Sequence, residues 1–230
     1  MFKEVSQLLK DLTIPQEFVL LALDRETNKL KSIFRQHIAL YTVMACLVEL
    51  SLKGKVQFED DNTVTILDST PTGDKAIDRL LEIMTSKKPK KVKNWASYFY
   101  QHWYKQREIY KLVVESLVEK DVLKVENTEI LFVLPKKKYV DVAGTRNYIV
   151  EKIRAELLEE GNVEEHTVVL VLFLNAKKML NDYFSDFERK ELKRKIEQLK
   201  KEKVFETIKS IDKAIRNMDA AITTSASAAT

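Results

Sequence analysis

Cys46 is the only cysteine in the chain. No disulfide can close within it, and no thiolate set can hold a structural zinc. A lone cysteine in an apolar segment packs as a small hydrophobe, and such usage fits a reducing compartment. Histidine is nearly as scarce. His37, His102 and His166 stand too far apart for metal-ligand spacing, so each reads as a surface or packed residue, and neither a metal nor a cofactor is expected. The glycines Gly54, Gly73, Gly144 and Gly161 are isolated from one another, which excludes a P-loop and a dinucleotide fingerprint. Thr72-Gly73-Asp74 comes nearest to a phosphate cradle, but Asp74 would repel the anion, so a turn is the better account. With four glycines and four prolines, the chain has too little punctuation for a many-turned β fold, and long helices are favoured. No apolar run reaches the roughly 18–20 residues that a bilayer-crossing helix needs. Met1-Phe2-Lys3-Glu4 opens no signal peptide, so a soluble intracellular protein is expected. No catalytic constellation emerges, because the acidic residues alternate with lysines on solvated faces, and an enzyme is not expected.

What the chain does contain is an oily centre. Residues 38–52, IALYTVMACLVELSL, carry Glu49 as their only charge. Apolar side chains lie on every side of a 3.6-residue helix here, which describes a helix enclosed by others. Gly54 should end it, with Lys53 and Lys55 where positive charge suits a helix C-terminus. Pro15 and Glu17 form a start signal for a helix through Phe18 and Leu23, after a short amphipathic helix over 6–12. Residues 24–31 are polar and turn-like.

Val56 and Phe58, then Val64 and Ile66, alternate with polar residues around Asp60-Asp61-Asn62, the pattern of a β-hairpin. Asp74 is a suitable N-cap for a helix over 75–84. Lys87-Lys88-Pro89-Lys90-Lys91-Val92-Lys93 reads as a solvated basic connector, and Asn94 as the cap of a helix over 95–104. A further helix covers 106–120. A second hairpin pairs 122–125 with 130–134 and stops at Pro135. Beyond 145 the chain is helical again: 149–159, a buried helix over 165–187, and a charged surface helix over 188–203 whose apolar stripe is Leu192, Ile196 and Leu199. The fold class is mainly α: one helical domain over 1–219 around a buried central helix, with two small β-hairpins and a fraying tail over 220–230. Leu47-Val48-Glu49 and Leu117-Val118-Glu119 each precede a hairpin, so helix–hairpin is used twice, as in winged-helix-like units.

Three stretches carry a family resemblance. Leu20-Leu21-Ala22-Leu23-Asp24 is followed by Leu47-Val48-Glu49-Leu50-Ser51-Leu52-Lys53-Gly54-Lys55-Val56. Pro71-Thr72-Gly73-Asp74 is followed by Asp78, Leu81 and Asn94-Trp95. The last is Leu117-Val118-Glu119-Lys120-Asp121-Val122-Leu123, with Asp121 where a glycine is usual. Together they resemble the Golgi phosphoprotein 3 family over roughly residues 18–220. The resemblance implies a helical domain with a protruding hairpin and a phosphatidylinositol 4-phosphate headgroup pocket built from a tryptophan and three arginines. The tryptophan position falls on Phe34 and one arginine on Arg107. The other two arginine positions fall on Val43 and Tyr110, which cannot make a guanidinium's forked bonds to phosphate. Arg35, Lys105 and Lys111 lie close in sequence and are the expected compensation.

The family's apolar hairpin tip corresponds to Ile130, Leu131, Phe132 and Val133, beside Lys136, Lys137 and Lys138. Either these residues form a core strand, or they wedge into a bilayer while the lysines meet anionic headgroups. The resemblance also implies self-association through the 124–134 hairpin. A coatomer-binding N-terminal arm is not expected, so the chain is similar to the family's prokaryotic branch. The expected partner is an anionic phospholipid surface, at the cytosolic Golgi face in a eukaryote or the inner face of the cell membrane in a bacterium. The formal charge of +4 permits an anionic partner without demanding one. Nucleic acid is not expected, yet a nucleic-acid-binding regulator built on the helix–hairpin pairs is the alternative.

Overall fold

A computed structural model describes residues 12–24, 26, 35–130, 133–141, 144–159, 161–202 and 206–227. The apolar segment forms helix α2 (Arg35–Leu52), preceded by α1 (Ile14–Ala22). Every residue of α2 from Leu40 through Leu50 is buried. Its neighbours are α1, α3 (Lys75–Thr85), α4 (Val92–Gln101), α5 (Trp103–Glu119) and α9 (Glu206–Ser227). Water is excluded from each side by a different helix, as the all-round apolar pattern requires. At the C-terminus the Gly54 N–H donates to the Ser51 carbonyl at 3.0 Å and the Lys55 N–H to Leu50 at 2.9 Å. This reversal needs the left-handed backbone that Gly54 adopts at φ 66°, a conformation free of Cβ cost only for glycine.

The one charge in α2 has a structural task. Glu49 is buried, and one of its carboxylate oxygens accepts the Ile14 N–H at 2.9 Å. That N–H belongs to the first turn of α1, where no intrahelical acceptor exists. Lys53 reaches the other Glu49 oxygen at 3.4 Å. Helix α1 is itself enclosed, with all nine residues buried. Its polar side chains are paired inside: Gln16 donates to Ser116 at 2.9 Å, and Glu17 meets His166 at 2.7 Å.

Two antiparallel sheets flank this body. In the first, β1 (Val56–Phe58) pairs with β2 (Thr63–Ile66), as the alternation predicts. The basic connector is not wholly solvated: Lys90–Lys91 forms β3, the third strand, against Thr63 and Val64. Val92 is buried at the start of α4, so that helix begins before Asn94, which is not its cap. The second sheet is a long ribbon of β4 (Leu123–Ile130) and β5 (Val133–Asp141). Pro135 does not end it. The register slips between Thr128 and Ile130, and the proline falls opposite that irregularity, the kind of place where a strand tolerates a residue without an N–H.

The segment expected as one helix over 165–187 is divided. It comprises α7 (Glu165–Ala176), a 3-10 turn (Met179–Asp182), and the start of α8 (Asp186–Leu199), with Lys178 in left-handed backbone between the first two. Ser185 and Glu188 form a capping box that opens α8 afresh. The stripe Leu192, Ile196 and Leu199 is buried as expected. Ahead of α7, α6 (Thr145–Leu157) follows the ribbon. Of the tail expected over 220–230, residues 220–227 are the last part of α9, with Ile222 buried, and the rest lie outside the described residues. The segment over 6–11 and most of 25–34 lie outside the described residues. Among the described residues no helix is long and apolar enough to cross a membrane.

Two predictions follow from the buried polar groups. Glu49→Leu strips the Ile14 N–H of its acceptor where water cannot replace it, so unfolding free energy should fall by about 1–3 kcal/mol. Glu49→Gln keeps an acceptor oxygen and should lose less; urea unfolding followed by circular dichroism compares the two. For His166, burial pulls the pKa down, but the Glu17 hydrogen bond and the Glu17 and Glu49 charges together leave it raised above 6.5. The stabilisation is therefore complete below the unfolded value and is lost as pH rises through the higher folded one. The stability gap between wild type and His166→Gln should be largest below the ordinary histidine value of 6.5 and shrink as pH rises above it, and urea midpoints across a pH series measure it.

Candidate functional site

Helices α4 and α5 meet at His102, which ends one and starts the other. The corner is latched from inside. The buried Gln106 amide donates to the Phe99 carbonyl, and the His102 N–H donates to Tyr98 at 3.0 Å. The His102 ring lies on the Tyr98 ring at 4.2 Å. What this fixed corner presents outward is aromatic and cationic. Trp103 is 59% exposed and Tyr104 54%. Lys87 lies 5.0 Å from the Tyr98 ring centre, Lys105 lies 5.8 Å from Tyr104, and the Arg107 guanidinium covers Trp103 at 5.6 Å. Cations stack there on the negative faces of the rings.

Arg107 is distinctive among the arginines whose side chains are described. Arg79, Arg146, Arg154, Arg189, Arg194 and Arg216 each pair with a carboxylate. Arg107 pairs with none of the described carboxylates. Neighbouring Lys87 and Lys105 have no described acidic partner either. Trp103, Arg107 and Lys111 follow at helical i, i+4 spacing along α5. Lys111 is tied to Glu115 at 3.3 Å. Beside it the hairpin returns: Tyr139 feels the charges of Glu115 and Lys111, and burial followed by the Tyr139 neighbour raises the Tyr110 hydroxyl pKa.

The expected headgroup residues are only partly brought together. Lys105 and Arg107 share the corner, and Lys111 extends it but is neutralised. Arg35 opens α2, while Phe34 lies outside the described residues. Val43 is fully buried in α2 and Tyr110 is half-buried against the core, so those two positions line no cationic pocket. In the ribbon, Ile130 pairs with Val133, and Lys136, Lys137 and Lys138 face Thr128, Asn127 and Glu126 in the ladder. Leu131 and Phe132 lie outside the described residues.

Sequence reasoning passed over Trp103, Tyr104 and Lys87. A signal was available. Residues 86–107 contain seven lysines and arginines and no aspartate or glutamate. The remaining 208 residues therefore sum to −3, which is the chain's +4 less +7.

The helical body closes around one buried helix and carries a two-stranded ribbon and a cationic aromatic corner where α4 meets α5; among the described residues no group of side chains is arranged to hold a metal. The chain belongs to the Golgi phosphoprotein 3 (GPP34) family, whose sequence model matches residues 14–219. It is similar to vacuolar protein sorting-associated protein 74 of Eremothecium gossypii, with 25% identity over 216 aligned positions, covering 78% of this chain. The chain spans 64% of the length of that relative.

The burial of Val43 makes a prediction. Val43→Arg would not rebuild a pocket; an unpaired charge in the α2 interior should destabilise the fold by several kcal/mol. Thermal unfolding of the variant, or its loss from the soluble fraction on expression, reads this out.

Proposed function

We propose that this chain is a peripheral membrane protein that binds anionic phospholipid, with a phosphatidylinositol 4-phosphate-like headgroup as its preferred contact and an adaptor role rather than an enzymatic one. Membership of the family supports a Golgi-associated, phosphoinositide-binding adaptor kind of role. The observation that carries the reading is Arg107, an exposed guanidinium with no described carboxylate partner on the acid-free stretch. A guanidinium held over Trp103 keeps its forked N–H donors available for phosphate oxygens. Lys87 and Lys105 add charge at the same corner. Each such cation contributes roughly 1 kcal/mol near an anionic leaflet, so the corner alone gives weak, reversible attachment. Self-association through the 124–134 hairpin would multiply it. The apolar tip at 130–133 and the three lysines after it belong to the same proposal.

Co-sedimentation with unilamellar vesicles tests this. The protein should pellet with phosphatidylcholine vesicles that contain phosphatidylserine or phosphatidylinositol 4-phosphate, and not with phosphatidylcholine alone. Binding should weaken as salt rises. The double variant Lys105→Glu/Arg107→Glu, changed only at the surface, should bind at least about tenfold more weakly. Equal pelleting with neutral vesicles would overturn the electrostatic basis. A tight, salt-sensitive complex with random duplex DNA would favour the nucleic-acid alternative.

A further inference from the structure

Trp103 and Tyr104 are two large exposed side chains that stand next to each other in the chain. The large exposed side chains Leu67 and Phe187 lie singly elsewhere, as isolated surface hydrophobes commonly do. Trp103 and Tyr104 are adjacent, at the start of a helix, on a corner latched by Gln106 and His102. Their planes are nearly perpendicular, at 86° with ring centres 6.4 Å apart. Two rings so disposed cannot both stack against one flat partner, but both can enter a soft layer. Around them stand Lys87, Lys105 and Arg107, with no described carboxylate pairing to any of the three.

We infer that Trp103 and Tyr104 are an interfacial anchor, the residues that enter the headgroup layer of an anionic bilayer when the corner docks. The inference rests on the lipid-binding reading above and says which atoms make the apolar part of that contact. Trp and Tyr, apolar in body and polar at the tip, favour the boundary between headgroups and acyl chains. Lys and Arg beside them extend their heads to phosphates while their stems lie against the rings. The charge pattern selects a bilayer over a protein. A protein partner complementary to this corner would need a matching acidic patch, whereas an anionic leaflet offers negative charge over any area. The anchor also supplies what the cations lack, since apolar burial adds to electrostatic attraction and does not fade with salt in the same way.

The two tryptophans make the test direct, because Trp95 is 1% exposed and Trp103 is 59% exposed. The full chain is mixed with phosphatidylcholine vesicles, with or without phosphatidylserine, and with vesicles whose acyl chains are brominated near the headgroup. Anionic vesicles should shift the emission to the blue, and the brominated lipid should quench about half of it, the Trp103 share. Trp103→Phe should lose the shift and bind severalfold more weakly, and Trp103→Ala roughly tenfold more weakly. Trp95 emission in both variants reports that the core is intact. If the chain pellets with anionic vesicles while Trp103 stays in water and Trp103→Ala binds like wild type, the anchor is overturned and the lipid-binding reading stands. If no anionic vesicle binds at all, that reading falls and the anchor with it. A blue shift that grows with protein concentration without lipid would assign the corner to self-association instead, and would likewise overturn the anchor.

Discussion

A helix with no face left for water has to be met by other side chains on every side, and the architecture follows from that demand on α2. Five helices converge on it. Burial at roughly 25 cal/mol per Å² of apolar surface rewards such enclosure, but it penalises any backbone donor trapped without an acceptor. Glu49 resolves that conflict at the most crowded point. By accepting the Ile14 N–H, it lets α1 begin inside the protein instead of at its surface. Its pairing with Lys53 near the surface limits the desolvation cost of the charge.

The same enclosure decides where charge can sit. Several charged and amide groups inside or at the edge of the body have partners: Glu17 with His166, Gln16 with Ser116, Arg146 with Asp141 at 3.3 Å. Surface arginines are mostly paired too, so the body is close to neutral in effect. Positive charge is densest where the chain turns from α4 into α5, and no acid occurs between Glu82 and Glu108. Aromatic faces substitute there for carboxylates, as Tyr98 does for Lys87 and Trp103 for Arg107. A ring holds a cation without neutralising it. A carboxylate would hold it more firmly and cancel its charge.

Much of the fold was legible in the sequence because it is written in periodicity. The all-round apolar run at 38–52, the alternation around Val56 and Val64, and the cap at Asp74 each had one physical solution. Asp74 accepts the Ala76 and Ile77 N–H groups at 2.9 and 3.1 Å. The failures fell where local signals meet tertiary ones. The run over 165–187 has helical composition throughout, yet Lys178 turns left-handed and Ser185 restarts the helix. Pro135 reads as a strand terminator in isolation, and only the slip opposite it shows how the ribbon absorbs it. The site was less legible. Mapping arginine positions along the sequence pointed to Val43 and Tyr110, where burial forbids the charge. Arg107 was found, but its ring partner four residues back was not, since an exposed tryptophan looks the same in sequence as a core one.

This difference bears on what kind of recognition the corner can support. A pocket with several converging guanidiniums reads the positions of phosphates on a ring, because each fork is fixed in direction. Here one fork remains, held by an aromatic face, with two flexible ammonium groups nearby that act as point charges. If it binds lipid as proposed, such a surface would respond to the density of negative charge more than to its stereochemistry. On the proposed reading, selectivity for one headgroup then has to come from depth and orientation instead. These are what a rigid corner can supply: the buried Gln106 latch would fix how Trp103 and Tyr104 meet a headgroup layer, with Arg107 carried one helical turn behind Trp103. On that reading, a lipid whose phosphate stood at that height above the acyl boundary would gain the forked contact, and one whose charge sat lower would meet only the lysines.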